Sequence, residues 1–174
     1  MSKRNAFLHE DEFIQFIRTN KDRFYFLAYS YTKNEQDALD IIQDSIQKAM
    51  LALHNLDKVE SMKSWFYKIV VRTALDFIRK HKRIQVTDDT TLHHLTTNHE
   101  DHYENTDLQF ALSALPQKYR EIIILHYFED LKLSEVATVL DTNISTIKSR
   151  LYRALKLLKI QLDDTKGEMT NDKR

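Results

Sequence analysis

Four groups of residues in this 174-residue chain have the types and spacing to do chemistry. Asp37, Asp40 and Asp44, with Gln43 among them, recur at helical spacing. Carboxylates so placed can hold a divalent cation or share acid–base work. Asp40 and Asp44 stand one turn apart, but no candidate partner sits at a recognisable spacing, so the favoured reading is an acidic face that is solvated or docks a basic partner. His93, His94, His99 and His102 form the second group. Clustered imidazoles can bind a transition metal, but this polar segment would first have to order itself. The third group is cationic. Trp65, Lys68, Arg72, Arg79 and Arg83 follow a three-and-four spacing broken in charge only by Asp76. Cations beside an aromatic ring suit a nucleic-acid backbone and an unstacked base. The alternative is a solvated helix face with Trp65 in the core. Thr146, Lys148, Ser149, Arg150, Tyr152 and Arg153 suit a duplex groove. No Gly-rich phosphate loop, metal-ligand cluster or Ser/His/Asp arrangement is present, so neither catalysis nor a cofactor is expected.

The elements that must position these groups are helices. One Gly and one Pro in the whole chain, with apolar residues three and four apart, predict an all-α protein. His9 to Asn20 carries Phe13, Phe16 and Ile17 on one face, and Lys21 to Thr32 carries Phe24, Leu27, Ala28 and Tyr31. Both read as aromatic-rich core helices, ended by Lys33-Asn34. Glu35 to Leu53 is the cleanest long helix, burying Ala38, Ile41, Ile42, Ser45, Ile46 and Ala49 and turning the acidic group outward. Residues 57–62 read as a polar loop, with Ser61 capping a helix from about Lys63 to Lys82 whose inner stripe is Phe66, Ile69, Val70, Thr73 and Phe77. A short helix ends before Pro116, and Gln117 to Phe128 forms another. Leu133 to Leu140, a break at Asp141-Thr142-Asn143, and a run capped by Ser145 with Ile147, Leu151, Ala154, Leu155 and Leu158 inside describe a helix-turn-helix. Its second helix carries the cationic face. Any αα-hairpin with a solvated basic face is the alternative.

A formal net charge of zero conceals a pattern. Residues 57–83 hold eight Lys and Arg against three Asp and Glu, residues 84–107 hold six acidic residues and no Lys or Arg, and residues 132–162 hold six basic against two acidic. Two basic blocks flanking an acidic one predict two separate contacts with a polyanion. The expected organisation is two small helical domains, 8–83 and 107–162, joined by a flexible acidic linker at 84–106, with a frayed tail at 163–174. The absence of cysteine fits a reducing compartment. No apolar run reaches the roughly 18 residues of a membrane span, and a cytoplasmic protein without direct membrane insertion is expected.

Four runs, in order, resemble one family. Asp37-Ala38-Leu39-Asp40-Ile41-Ile42-Gln43-Asp44-Ser45 is similar to the core-polymerase-binding helix of extracytoplasmic-function sigma factors. Trp65-Phe66-Tyr67-Lys68-Ile69 through Ala74-Leu75-Asp76-Phe77-Ile78-Arg79-Lys80 resembles their helix for the minus-ten promoter element. Ala114-Leu115-Pro116-Gln117-Lys118-Tyr119-Arg120-Glu121 and Thr146-Ile147-Lys148-Ser149-Arg150-Leu151-Tyr152-Arg153-Ala154 resemble their C-terminal domain. The match spans roughly residues 10 to 162. It implies that Asp37, Asp40, Gln43 and Asp44 bind core RNA polymerase. It implies that Lys58, Ser61, Trp65, Lys68, Arg72 and Arg79 handle the opened minus-ten strand. Thr146, Lys148, Ser149, Arg150, Tyr152 and Arg153 would read the duplex minus-thirty-five element, and an anti-sigma factor would sequester the protein. Asp141 and Ser145 stand where the family often has Gly, and Lys132 where a capping Ser is common. A modified turn and a frayed first helix are therefore expected. Two rivals are a helix-turn-helix regulator that binds DNA without polymerase, and a helical metal-dependent hydrolase built on Asp37, Asp40, Asp44 and the linker histidines.

Overall fold

The computed structural model describes the backbone of residues 3–56, 58–87 and 106–171, and the side chains of residues 10–56, 58–82 and 108–162. The acidic linker and its histidines lie outside the described residues, apart from the helical stretches at 84–87 and at Thr106. The described residues are helical, with no strand among them, and fall into two compact units.

The first unit is a three-helix assembly of α1 (Lys3–Thr32), α2 (Glu35–Ala52) and α3 (Met62–Thr87), each packed on the other two. α1 is one helix of 30 residues, where the sequence reads as two. Neither Gly nor Pro stands at the Asn20-Lys21 junction, and the Asn20 amide turns back to donate to the Phe16 carbonyl at 2.9 Å. The apolar register therefore runs through: Phe13, Phe24, Leu27, Ala28 and Tyr31 are all buried. Aromatic rings fill the centre. Phe66 of α3 meets Phe13 at 5.4 Å and Phe24 at 4.8 Å between ring centroids, both edge to face. Such pairs put a positive ring edge on a negative face, each adding about 0.5–1.5 kcal/mol beyond burial.

Helix ends in this unit are closed by side chains. Lys33 takes a left-handed conformation at φ 56°, its N–H donating to the Tyr29 carbonyl at 2.8 Å. Asn34 then caps α2, its side-chain oxygen accepting from Asp37 N at 2.9 Å. The stretch read as a loop holds a 3-10 turn, Val59–Ser61, followed by buried Met62 at the start of α3. Ser61 is the last residue of that turn and directly precedes α3; its N–H donates to the Lys58 carbonyl at 3.1 Å and its carbonyl accepts from the Ser64 hydroxyl at 3.2 Å.

The second unit holds α4 (Thr106–Ala114), α5 (Gln117–Ile123), a π-helical segment (Ile124–Phe128), α6 (Leu133–Val139) and α7 (Ile144–Asn171). Pro116 breaks α4 from α5 as its ring requires. Four consecutive apolar residues, Ile122 to Leu125, are all buried, which a regular helix with one inner face does not allow. The wider π turn permits it: Glu129 N–H reaches the Ile124 carbonyl five residues back at 3.0 Å. The His126 ring nitrogen Nδ1 sits 2.7 Å from the Leu131 carbonyl and ties the segment to the chain that follows. Arg120 is buried and closes the C-terminus of α4. Its Nε donates to the Leu112 carbonyl at 2.9 Å, and one Nη donates to the carbonyls of Ser113 at 3.0 Å and Leu115 at 2.6 Å.

α6 does not start frayed. Glu135 reaches back to accept from the Lys132 N–H at 2.8 Å, the reciprocal half of a capping box, and so substitutes for the missing Ser. α6 ends in a hydrogen-bonded turn in which Thr142 N–H donates to the Ala137 carbonyl at 3.0 Å and Asp141 sits left-handed at φ 48°. Asp thus holds the conformation for which Gly is favoured. α7 is capped by Asn143, not by Ser145: the Asn143 side-chain oxygen accepts from Thr146 N–H at 2.8 Å, and Ser145 lies within the first turn. The frayed tail expected from 163 onward is instead helical backbone as far as Asn171, through Gly167.

Three substitutions test these closures. Arg120→Met leaves the buried carbonyls of Leu112 and Leu115 and the part-buried carbonyl of Ser113 without their charged donor, and the unfolding free energy in urea is expected to fall by about 2–4 kcal/mol. Asn143→Ala is expected to cost about 1 kcal/mol in the same measurement, against less than about 0.5 kcal/mol for Ser145→Ala. The reverse order would return the cap to Ser145.

Candidate functional site

The face of α7 follows from its inner side. Ile147 and Ala154 are fully buried, which fixes the helix rotation. Lys148, Ser149, Tyr152 and Arg153 are then exposed, Tyr152 at 73%. Thr146 and Arg150 are half-buried on the flanks. Leu155, expected inside, is 40% exposed and extends the outward face in apolar character. The Ser149 hydroxyl donates to the Ser145 carbonyl at 2.9 Å and to the Thr146 carbonyl at 3.2 Å. A capped helix showing cations, hydroxyls and one aromatic ring toward solvent has the donors and acceptors that a major groove presents a match for.

The α3 stripe is less uniform. Phe66, Val70 and Thr73 are buried as expected, while Ile69 and Phe77 are half-buried. Tyr67, Val71 and Ala74 are also buried, so the inner face is broader than the one stripe read from spacing. Trp65 is half-buried, its indole meeting Phe13 edge to face at 6.1 Å. It belongs partly to the aromatic core and partly to the surface. Lys68 is half-buried; Lys58, Ser61, Arg72 and Arg79 are exposed. Arg79 pairs with Asp76 at 3.2 Å, which accounts for the one acid in the stripe as a local partner.

The acidic group lies on α2 opposite buried Ala38, Ile41, Ser45 and Ala49. Asp40, Gln43 and Asp44 are exposed and Asp37 is half-buried in the first turn, where a carboxylate favours the helix dipole. Asp40 accepts from the Gln36 amide at 3.3 Å, and Asp44 pairs with Lys48 at 2.9 Å. Asp40 and Asp44 are thus each engaged with a neighbour on their own helix. Among the described residues no three His, Cys, Asp or Glu side chains form a metal-holding cluster. Sequence reasoning missed the apolar part of this face: Leu39 is 47% exposed, Leu51 79%, and Met50 is exposed beside them. The available sign was that Leu39 falls off the inner stripe, next to Asp40 and one turn before Gln43. A mixed acidic and apolar helix face is suited to a protein partner rather than to solvent alone.

Comparison with known proteins agrees with this arrangement in two places. Residues 16–84 match the family model for sigma-70 region 2, and residues 106–158 match that for sigma-70 region 4. The chain is 56% identical over 146 residues to the RNA polymerase sigma factor SigV of Bacillus subtilis (strain 168), an alignment covering 84% of this chain and 88% of that one. It is 28% identical over 170 residues to the extracytoplasmic-function sigma factor SigW of the same organism, covering 89% and 91%. Its fold is similar to that of the sigma factor RpoE of Bartonella quintana, solved with the anti-sigma factor NepR, with a TM-score of 0.75 and 25% identity over 87% of this chain and 96% of that one. Matched across both regions and more than half identical to a sigma factor over most of its length, the chain belongs to the extracytoplasmic-function family of RNA polymerase sigma factors.

Proposed function

We propose that this sigma factor divides its work among three helix faces. The α2 face, with Asp37, Asp40, Gln43 and Asp44 and the exposed Leu39, holds core RNA polymerase. Lys58, Ser61, Trp65, Lys68, Arg72 and Arg79 engage the opened minus-ten strand, with the open part of the Trp65 indole beside an unstacked base. Thr146, Lys148, Ser149, Arg150, Tyr152 and Arg153 meet the duplex minus-thirty-five element. The functional segments on this reading are 8–83 and 107–162, joined by the acidic linker at 84–106. Like-charged with DNA, that linker is repelled from the promoter while the flanking basic segments are attracted.

The observation that carries this reading is the outward cationic face of α7, fixed by Ile147 and Ala154 beneath it. The protein catalyses no reaction of its own and acts in the cytoplasm, where its polymerase is; no helix among the described residues is long and apolar enough to cross a membrane. An anti-sigma factor holds it until a signal arrives, a reading supported by the solved complex of RpoE with NepR.

Charge reversal tests the polymerase face. Asp40→Lys and Asp44→Lys are exposed changes, expected to alter folding by only about 0.5 kcal/mol. Core binding by the full chain is expected to weaken while circular dichroism stays that of the parent. If both variants bind core as tightly as the parent, α2 is not the contact. Transcription from a promoter library, read by sequencing, tests α7. Lys148→Ala is expected to relax the minus-thirty-five preference, since each good base contact discriminates by about 1–3 kcal/mol. Arg150→Ala, on the half-buried flank, is expected to lower output evenly across sequences and to reduce the salt slope by about one. An unchanged profile for Lys148→Ala, Ser149→Ala and Arg153→Ala together contradicts sequence reading by this helix.

A further inference from the structure

The first turn of α7 fixes the direction of two hydroxyl protons. Thr146 N–H donates to the Asn143 side-chain oxygen at 2.8 Å. An N–H can meet only the oxygen end of that amide, so its orientation is set. The Ser145 hydroxyl lies 2.7 Å from the same oxygen and must therefore be the donor. One turn later the Ser149 hydroxyl faces the carbonyls of Ser145 and Thr146 at 2.9 and 3.2 Å, groups that accept only. Both serines are exposed. Each has its proton committed to the protein, while its oxygen keeps its acceptor lone pairs. Residues four apart on a helix are neighbours, so two hydroxyl acceptors stand one turn apart beside Lys148, which only donates.

In the major groove the donors are the exocyclic amines of adenine (N6) and cytosine (N4), whereas guanine and thymine present acceptors there. We infer that Ser145 and Ser149 are specificity-determining residues that distinguish amino bases, adenine or cytosine, from keto bases on the strand they face. Lys148 alongside accounts for a keto base, guanine above all, at a neighbouring step. The inference rests on the reading of α7 as the duplex-reading helix.

The test uses the full chain with core polymerase and the upstream element preferred in the duplex library. Each adenine in that element is replaced in turn by unsubstituted purine, and each cytosine by 2-pyrimidinone, so that only the amino group is lost. Promoter occupancy by the parent is expected to fall roughly two- to tenfold at one or more positions, the range of a single hydrogen bond. That sensitivity is expected to vanish at one position in Ser145→Ala or Ser149→Ala and to persist in Ser149→Thr, which keeps a hydroxyl. Comparing parent and variant on the same modified duplex cancels any weakening of the base pair itself. An upstream preference that survives every amino deletion, or sensitivity undiminished in both alanine variants, overturns the inference and leaves α7 as a reader by other atoms. No upstream preference in the library at all overturns the reading of α7 and the inference with it.

Discussion

Ending a helix is the constraint on which this structure depends. Each α-helix leaves several N–H and C=O groups without intrahelical partners, and Gly and Pro are the usual means of stopping it. This chain has one of each, and Gly167 lies inside α7 rather than at an end. Side chains therefore carry the task. Asn34 opens α2, Glu135 ties back the start of α6, Asn143 opens α7, and the Arg120 guanidinium collects the last carbonyls of α4. Lys33, Asp130 and Asp141 accept left-handed backbone that costs roughly 1–2 kcal/mol without Gly. Asp141 and Asn143 together set where α6 stops and α7 starts, and so which residues of α7 occupy its first turn.

Once the ends are fixed, burial fixes rotation. The aromatic cluster around Phe66 orients α3, and Ile147 with Ala154 orients α7. The outward faces are what remains. On α7 that remainder is cationic and hydroxylated; on α2 it is acidic with Leu39, Met50 and Leu51 uncovered. These two surfaces differ in the chemistry of what they can hold, a polyanion in one case and a protein face in the other.

Much of this was legible before the fold was seen, because periodicity reports burial. The inner residues Ala38, Ile41, Ser45 and Ala49, the break at Pro116 and the turn at Asp141-Thr142-Asn143 all follow from spacing and from residues that cannot continue a helix. What spacing could not show was geometry that departs from 3.6 residues per turn, such as the π segment at Ile124–Phe128. In the sequence the cap of α7 reads two residues late, at Ser145: Asn143, there part of the break, is the residue whose side-chain oxygen accepts from the Thr146 N–H. Polar residues at Asn20-Lys21 suggested a break where continuous backbone hydrogen bonding costs nothing. Leu39 and Leu51 were missed as surface residues because apolar identity argues for the core, although the place of Leu39 off the inner stripe pointed outward.

The central claim is that the first unit acts on an opened strand and the second on duplex. Open-complex formation with core polymerase, measured on a duplex promoter and on the same promoter with its minus-ten region already melted, tests it most directly. The defect of Arg72→Ala is expected to be partly recovered on the melted template, where the unstacking cost is already met, and that of Lys148→Ala is not. Equal defects for Arg72→Ala on both templates, or equal recovery for the two variants, would contradict the division of labour.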